Sequence, residues 1–268
     1  GGHAKAIIKE LADGKLVDFD QDADAAGNEI ADERLVFVHQ NFRHLKRYLQ
    51  LYNLLPINGL LADLGVSSHQ FDTGERGFST RYEGPLDMRM DREQELTAAD
   101  VVNTYTAEHL QQVLSDYGEV RNAKTLANAI VAARPMTTTA ELADVAMPLS
   151  KKNPNQYLAQ VFQALRIEVN DEMAALREML DEASEVIQPG GRLVVMSYHS
   201  LEDRLVKHFM KAGTATGTPE QDPLYGAKPS PWKLITRKPV TATAEEIKAN
   251  PRARSAKLRI AEKKEVQA

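Results

Sequence analysis

The order in which apolar runs and polar stops follow one another constrains this chain's fold more than any other feature. Pro189-Gly190-Gly191 makes a turn, and Leu193-Val194-Val195-Met196 is an apolar run of strand length. Tyr198-His199-Ser200-Leu201-Glu202-Asp203-Arg204 is a polar cluster where that run stops. Leu16-Val17-Asp18-Phe19-Asp20, Leu35-Val36-Phe37-Val38 and the run from Ile57 to Asp63 end in the same way. Helical patterns separate these runs: Ala4 to Leu11 closed by Gly14, Ala23 to Ala31, and Leu45 to Leu54 stopped by Pro56. Strands alternating with helices predict crossover units and a parallel sheet. In open α/β sheets ligands bind in the crevice at the carboxyl ends of the strands, so the polar stops mark the candidate site.

After Asp63 the pattern changes. Residues 64–91 read as a loop punctuated by Gly65, Gly74, Gly77, Gly84 and Pro85. Residues 97–149 read as helical, with Thr97-x-x-Asp100 and Thr138-x-x-Glu141 as helix starts, the second with the form of a capping box. One helix over 156–187 then returns the chain to the sheet, residues 212–231 read as a flexible loop, and Trp232–Arg237 with Ala256–Ala261 form a final pair of strands. A short helix near 244–248 lies between them. The expected organisation is a sheet domain from residues 1–91 and 156–268, interrupted by an all-helical insertion over 92–155. There is no initiator Met, and Gly1-Gly2-His3 looks like the middle of a glycine-rich loop, so the chain reads as a fragment.

Composition removes several classes. With no cysteine, disulfides, thiol nucleophiles and cysteine-ligated zinc are excluded. The seven histidines are scattered, without a pair at ligand spacing beside carboxylates, so no metal is expected. No apolar run reaches the length of a membrane span. The net charge of −5 argues mildly against a generic nucleic-acid binder. From Lys228 onward, however, cations outnumber acids, which permits a local basic face as well as a merely solvated one.

Gly1-Gly2-His3 before a helix is a geometry for phosphate or carboxylate, because helix-start amides point outward with partial positive charge. Asp20 lies roughly 20 residues further on, where an acid accepts ribose hydroxyls; an exposed turn carboxylate is the plainer alternative. Phe42 either stacks on a purine or packs in the core. Asp63 follows an apolar strand directly, and a carboxylate there is costly to bury without a partner. The glycine spacing of a dinucleotide enzyme is not readable from a chain that opens inside its loop. The antiparallel pair at the carboxyl end favours S-adenosylmethionine instead.

Eight stretches occur in order: Gly1-Gly2-His3, Asp63 to Ser68, Glu75 to Ser79, Gly84 to Asp91, Phe162 to Asn170, Pro189 to Arg192, His199 to Arg204 and Asn250 to Ser255. Together they resemble the bacterial 16S ribosomal RNA (cytosine-N4) methyltransferases over essentially the whole chain. The resemblance implies a class I, Rossmann-like methyltransferase sheet with an all-helical substrate-recognition insertion. It also implies that the first strand, carried by about thirty family residues ahead of the glycines, is missing here. The implied reaction is methyl transfer from S-adenosylmethionine to the exocyclic N4 of a decoding-region cytidine in the small ribosomal subunit. Cofactor contacts carry over to Gly1, Gly2, His3, Asp20, Phe42, Asp63 and Gln70.

A cytosine amine is a poor nucleophile, so the site must hold it in line with the sulfonium methyl and accept its hydrogens. Asp63, or a backbone carbonyl beside it, is the expected acceptor, with His199 and Asp203 as secondary candidates. The cytosine must leave its stack to react, and Arg76, Arg81, Arg89, Arg252 and Arg254 are candidates for gripping RNA phosphates. The expected setting is cytoplasmic, with 16S ribosomal RNA as partner, no membrane and no metal; a homodimer is compatible with it. Two other readings compete: a truncated, inactive or non-catalytic RNA-binding protein, and a nicotinamide dehydrogenase. The dehydrogenase leaves the Asp63 and His199 stretches without a purpose.

Overall fold

The computed structural model of the chain describes residues 38, 40–66, 74–80, 83–219, 221–222 and 226–265. The expected elements over residues 4–37 lie outside this set. The first described helix, α1 (Leu45–Leu51), leads to β1 (Ile57–Asp63). Four helices follow the loop after Asp63: α2 (Ala98–Thr104), α3 (Ala107–Asp116), α4 (Ala123–Ala132) and α5 (Thr139–Ala146). Thr97 and Thr138 each accept from the amide three residues on, and Asp100 and Glu141 reach back to the cap, so both sequence signals close as capping boxes.

The expected single helix over 156–187 is two: α6 (Pro154–Asn170) and α7 (Glu172–Val186). Asp171 separates them in the left-handed conformation, with φ at +49°. The apolar spacing runs on through this point, so periodicity does not show the break. Asn170 anchors it: its Nδ2 donates to the carbonyls of Met88 (2.7 Å) and Arg166 (2.8 Å), and its Oδ1 accepts from the Met90 amide (2.7 Å).

From α7 the chain enters β2 (Ile187–Ser197), parallel to β1. The expected turn at Pro189-Gly190-Gly191 is a bulge in this strand, where the register jumps from Ile57↔Ile187 to Gly59↔Arg192. Gly191 is required there, because a Cβ would lie 2.7 Å from the Asn58 carbonyl oxygen. Helix α8 (Ser200–Ala212) follows, then a two-stranded ribbon, β3 (Gln221–Asp222) with β4 (Gly226–Ala227), inside the stretch read as loop. β5 (Trp232–Leu234), β6 (Val240–Thr241), α9 (Ala244–Ala249) and β7 (Lys257–Lys263) complete the order. β7 pairs antiparallel with β2, β5 and β6, giving a mixed sheet ordered β1-β2-β7-β5. The expected carboxyl-terminal strand pair is therefore present, with β5 shorter than its apolar pattern suggested. β1 lies at the edge of the described sheet, where Leu61 is 70% exposed.

Two apolar cores result. One joins Leu110, Leu126, Ile130, Leu142 and Leu165 from α3–α6 to Phe78, Leu86, Met88 and Met90 of the loop after β1. The other packs Leu176, Leu180, Phe209 and Trp232 against Leu193 and Val195 of the sheet. The helical packing unit thus begins before residue 92 and includes α6. Backbone bonds tie the loop in, with the Leu86 amide donating to Thr137 and the Thr139 amide to Gly84. Burying one leucine of this kind contributes roughly 1.5–3 kcal/mol. Among the described residues no helix is long and apolar enough to cross a membrane.

Candidate active site

Parallel pairing sets the site. Asp63 is in register with Met196, so the chain leaves β1 and β2 at the same edge of the sheet. The Tyr198 hydroxyl donates across that gap to Asp63 Oδ1 at 2.8 Å. Asp63 is exposed at this edge, and partial desolvation by its neighbours raises its pKa above the usual carboxylate range. Glu202 adds to the rise, and the Tyr198 hydrogen bond opposes it. Burial, followed by the Asp63 carboxylate, holds the Tyr198 phenol well above its ordinary value, so it stays a donor. Gly65, two residues past Asp63, has φ at +92° and lies against the Tyr198 ring.

Helix α8 starts at this edge. His199 is its N-cap, with Nδ1 accepting the Glu202 amide at 3.4 Å. Glu202 reaches back and accepts the Tyr198 amide at 2.9 Å and the His199 amide at 3.3 Å. Burial opposes the charge of Glu202, but His199, the Tyr198 amide and Arg166 outweigh it and lower its pKa. The buried His199 Nε2 lies 3.2 Å from Glu202 Oε1, off the line of a good hydrogen bond.

Beside this edge is a concavity with about 390 Å³ of open space. Phe42, Leu64 and Leu176 give it apolar walls, and Asn170, Glu172 and Glu202 give it acceptors. Glu172 is itself held by a two-pronged bond from the mostly buried Arg166, at 2.8 and 3.0 Å. Desolvation opposes the charge on Arg166, and the coulombic and hydrogen-bond pull of Glu172 outweighs it, so its pKa is raised. Apolar walls with carboxylate and amide acceptors suit a ligand that is part apolar and part cationic. Glu172, His199 and Glu202 also bring ligand-type atoms within 4.8 Å of one another. The spacing of histidines in the sequence does not reveal this grouping. Arg166 and backbone amides occupy much of its acceptor capacity.

The structure brings Phe42, Asp63 and His199 to one region, Phe42 as a half-buried wall that also packs on the sheet core. Gly1, Gly2, His3, Asp20, Gln70 and Arg81 lie outside the described residues. Three of the candidate side chains have partners of their own in the fold. Asp203 is not a free proton acceptor: it turns to β7, where Arg259 Nε donates to it at 2.6 Å and Lys257 Nζ at 3.3 Å. Burial works against its charge, but these cations hold it below the usual carboxylate range. Arg76 donates to the carbonyls of Arg89 and Met90 and lies over the Phe78 ring. Arg89 grips Asp87 with both prongs and bonds the Arg92 and Gln94 carbonyls. Both arginines brace the loop, Arg89 through all three of its nitrogens and Arg76 through Nη2. Arg252 and Arg254 are exposed in the turn before β7. Sequence reasoning assigned no role to Tyr198, Glu202, Asn170, Glu172 or Arg166. The one available signal was Glu202, an acid at the third position of a helix that starts right after a strand.

A mixed sheet covered by helices, with a carboxylate at the carboxyl edge of two parallel strands, defines a class I methyltransferase fold. The MraW methylase family model matches residues 1–264, and the chain belongs to that family. It is similar to the ribosomal RNA small subunit methyltransferases H of Phocaeicola vulgatus and Flavobacterium johnsoniae. Identity to these is 51% and 52%, over 98% of this chain and 88% of each relative. The protein of the same name from Amoebophilus asiaticus is 50% identical over 98% of this chain and 86% of its own length.

Proposed function

We propose that this protein transfers a methyl group from S-adenosylmethionine to the exocyclic N4 of a cytidine in 16S ribosomal RNA, the decoding-region cytidine 1402 of the small subunit. What carries the reading is the Asp63 carboxylate at the end of β1, oriented by Tyr198 beside the concavity at Phe42 and Leu64. The relatives' names support the substrate class. The concavity's apolar walls and acceptors fit S-adenosylmethionine, a cation with an apolar base. Phe42, Asp63 and the outlying Gly1, Gly2, His3, Asp20 and Gln70 are its proposed contacts. The bound cofactor supplies the electrophilic methyl.

The residues of the chain do the rest. Asp63 accepts a hydrogen bond from the attacking amine, drawing its hydrogens away so that the nitrogen lone pair can localise. Positioning of this kind can lower a barrier by up to ~7–11 kcal/mol in the best intramolecular cases. Tyr198 fixes the carboxylate's direction, and the Glu202–His199 cap holds Tyr198's backbone. The helical insertion over 92–155, with the braced loop before it, is proposed to shape the RNA pocket, and Arg252, Arg254 and Arg81 to face phosphates. A cytoplasmic setting follows from the ribosomal substrate. Labelled S-adenosylmethionine with small subunits lacking the modification tests the assignment. Label is expected in N4-methylcytidine after digestion, and label at another atom, or none with intact cofactor binding, overturns it.

A further inference from the structure

Asp203, Lys207 and Lys211 are spaced at i, i+4 and i+8, so they share one face of α8. Asp203 is neutralised by Arg259 and Lys257. Lys207 and Lys211 have no carboxylate partner among the described residues, and Arg237, between β5 and β6, has none either. These three cations and Arg259 surround a second concavity, with about 340 Å³ of open space and Thr236 on its wall. Thr236 Oγ1 accepts the Ile260 amide at 2.9 Å, which leaves its own proton to donate. Three cationic side chains without a carboxylate partner and a hydroxyl donor, beside an Arg259 already paired with Asp203, select an anion on a chain of net charge −5.

We infer that this pocket holds a backbone phosphate of the RNA substrate, flanking the nucleotide to be methylated. The inference rests on the methyl-transfer reading above. Position favours RNA over a free anion. Helix α8 begins at the candidate active site, and at 1.5 Å per residue Lys207 lies about 10 Å and Lys211 about 16 Å along it from Ser200. A strand whose base is flipped to Asp63 must continue along some cationic surface, and α8 offers one. Lysine's compact ammonium suits a phosphate as a point charge, and Arg237 can fork onto two of its oxygens.

The test is a triple variant, Lys207→Gln, Lys211→Gln and Arg237→Gln, beside the charge-keeping Lys207→Arg, Lys211→Arg and Arg237→Lys. These side chains are exposed, so both variants should melt with the parent. For the neutral variant, KM for small subunits should rise about tenfold, as expected for a lost hydrogen bond to a charged group. The slope of log affinity against log salt for protein-free RNA should shrink by about 0.7, the share of one single-strand phosphate. Affinity for S-adenosylmethionine should not move, and the charge-keeping variant should retain most of the parent's KM. An unchanged KM and salt slope would overturn the inference. So would weaker binding to subunits with unchanged binding to protein-free RNA, since the pocket would then meet an acidic protein. A parent protein that transfers no methyl group defeats the functional reading instead, and is seen before any variant is compared.

Discussion

At the scale of single residues, Asp63 and Tyr198 form a pair whose protonation can be followed. The Asp63 pKa is raised by burial and partly restored by the Tyr198 hydroxyl. If ionised Asp63 receives the amine's hydrogens, activity must fall on the acid side as it protonates. Tyr198→Phe removes the opposing hydrogen bond, so the acid limb of the pH–rate profile should move to higher pH, with kcat down about tenfold. An unmoved acid limb with a lower rate would leave Tyr198 a purely structural part. Asp63→Asn should cost more, roughly 10²–10⁴ in kcat, the usual range for a general base. Its effect on stability has the opposite sign. A carboxyl whose pKa is higher in the folded state binds its proton more tightly there, so raising the pH through that range weakens the fold. At neutral pH the ionised Asp63 is a liability, and Asp63→Asn should melt at or above the parent's temperature. A loss of several degrees would show that the charge is structurally required.

At the scale of elements, the start of α8 depends on one buried acid. Glu202 satisfies two amides and faces His199 and Arg166, so Glu202→Ala leaves two half-buried donors without acceptors. Each unsatisfied donor costs about 1–3 kcal/mol, and loss of the charge partner adds to it. The half-buried caps Thr97 and Thr138 should cost only ~1 kcal/mol when changed to Ala. Urea titration of the three variants should preserve that order. The Glu202 pKa is lowered by folding, so its stabilisation is complete above the ordinary glutamate value of 4.5 and is lost as pH falls through the folded value. The gap between parent and Glu202→Ala should therefore narrow in acid. The caps at Thr97 and Thr138 were legible because cap and acid lie three residues apart, and β1 and β2 because short apolar runs stop at polar residues. The break at Asp171 was not legible. Leu165, Val169, Met173 and Leu176 continue one apolar spacing across it, while its cause is Asn170 bonding Met88 and Met90 some eighty residues away. The roles of Arg76, Arg89 and Asp203 were hidden for the same reason, because their partners are set by folding rather than by neighbouring sequence.

For the whole molecule the question is how two cores act as one body. The helical core's last element is α6, the chain returns to the sheet core with α7, and Asp171 is the single residue between those two helices. Across that joint the mostly buried Arg166 on α6 holds Glu172 on α7 with both prongs, and Glu172 lines the concavity next to Glu202. A buried pair of this kind contributes little net stability over an apolar pair, but removing one partner is costly, at roughly 3–5 kcal/mol. Arg166→Met should lower stability by about that amount, and Arg166→Met with Glu172→Leu should recover most of it. The variants also bear on coupling. The one tryptophan, Trp232, sits in the sheet core, so its fluorescence reports that core alone, whereas far-ultraviolet circular dichroism is weighted to the helices. In the parent the two signals should change at one urea concentration, as two-state unfolding requires. With Arg166→Met the transitions should separate, because the joint then holds an unpaired buried carboxylate that opening can hydrate. Coincident transitions, with a loss under about 1 kcal/mol, would mean that the apolar contacts between α6 and α7 hold the two cores together without the ion pair.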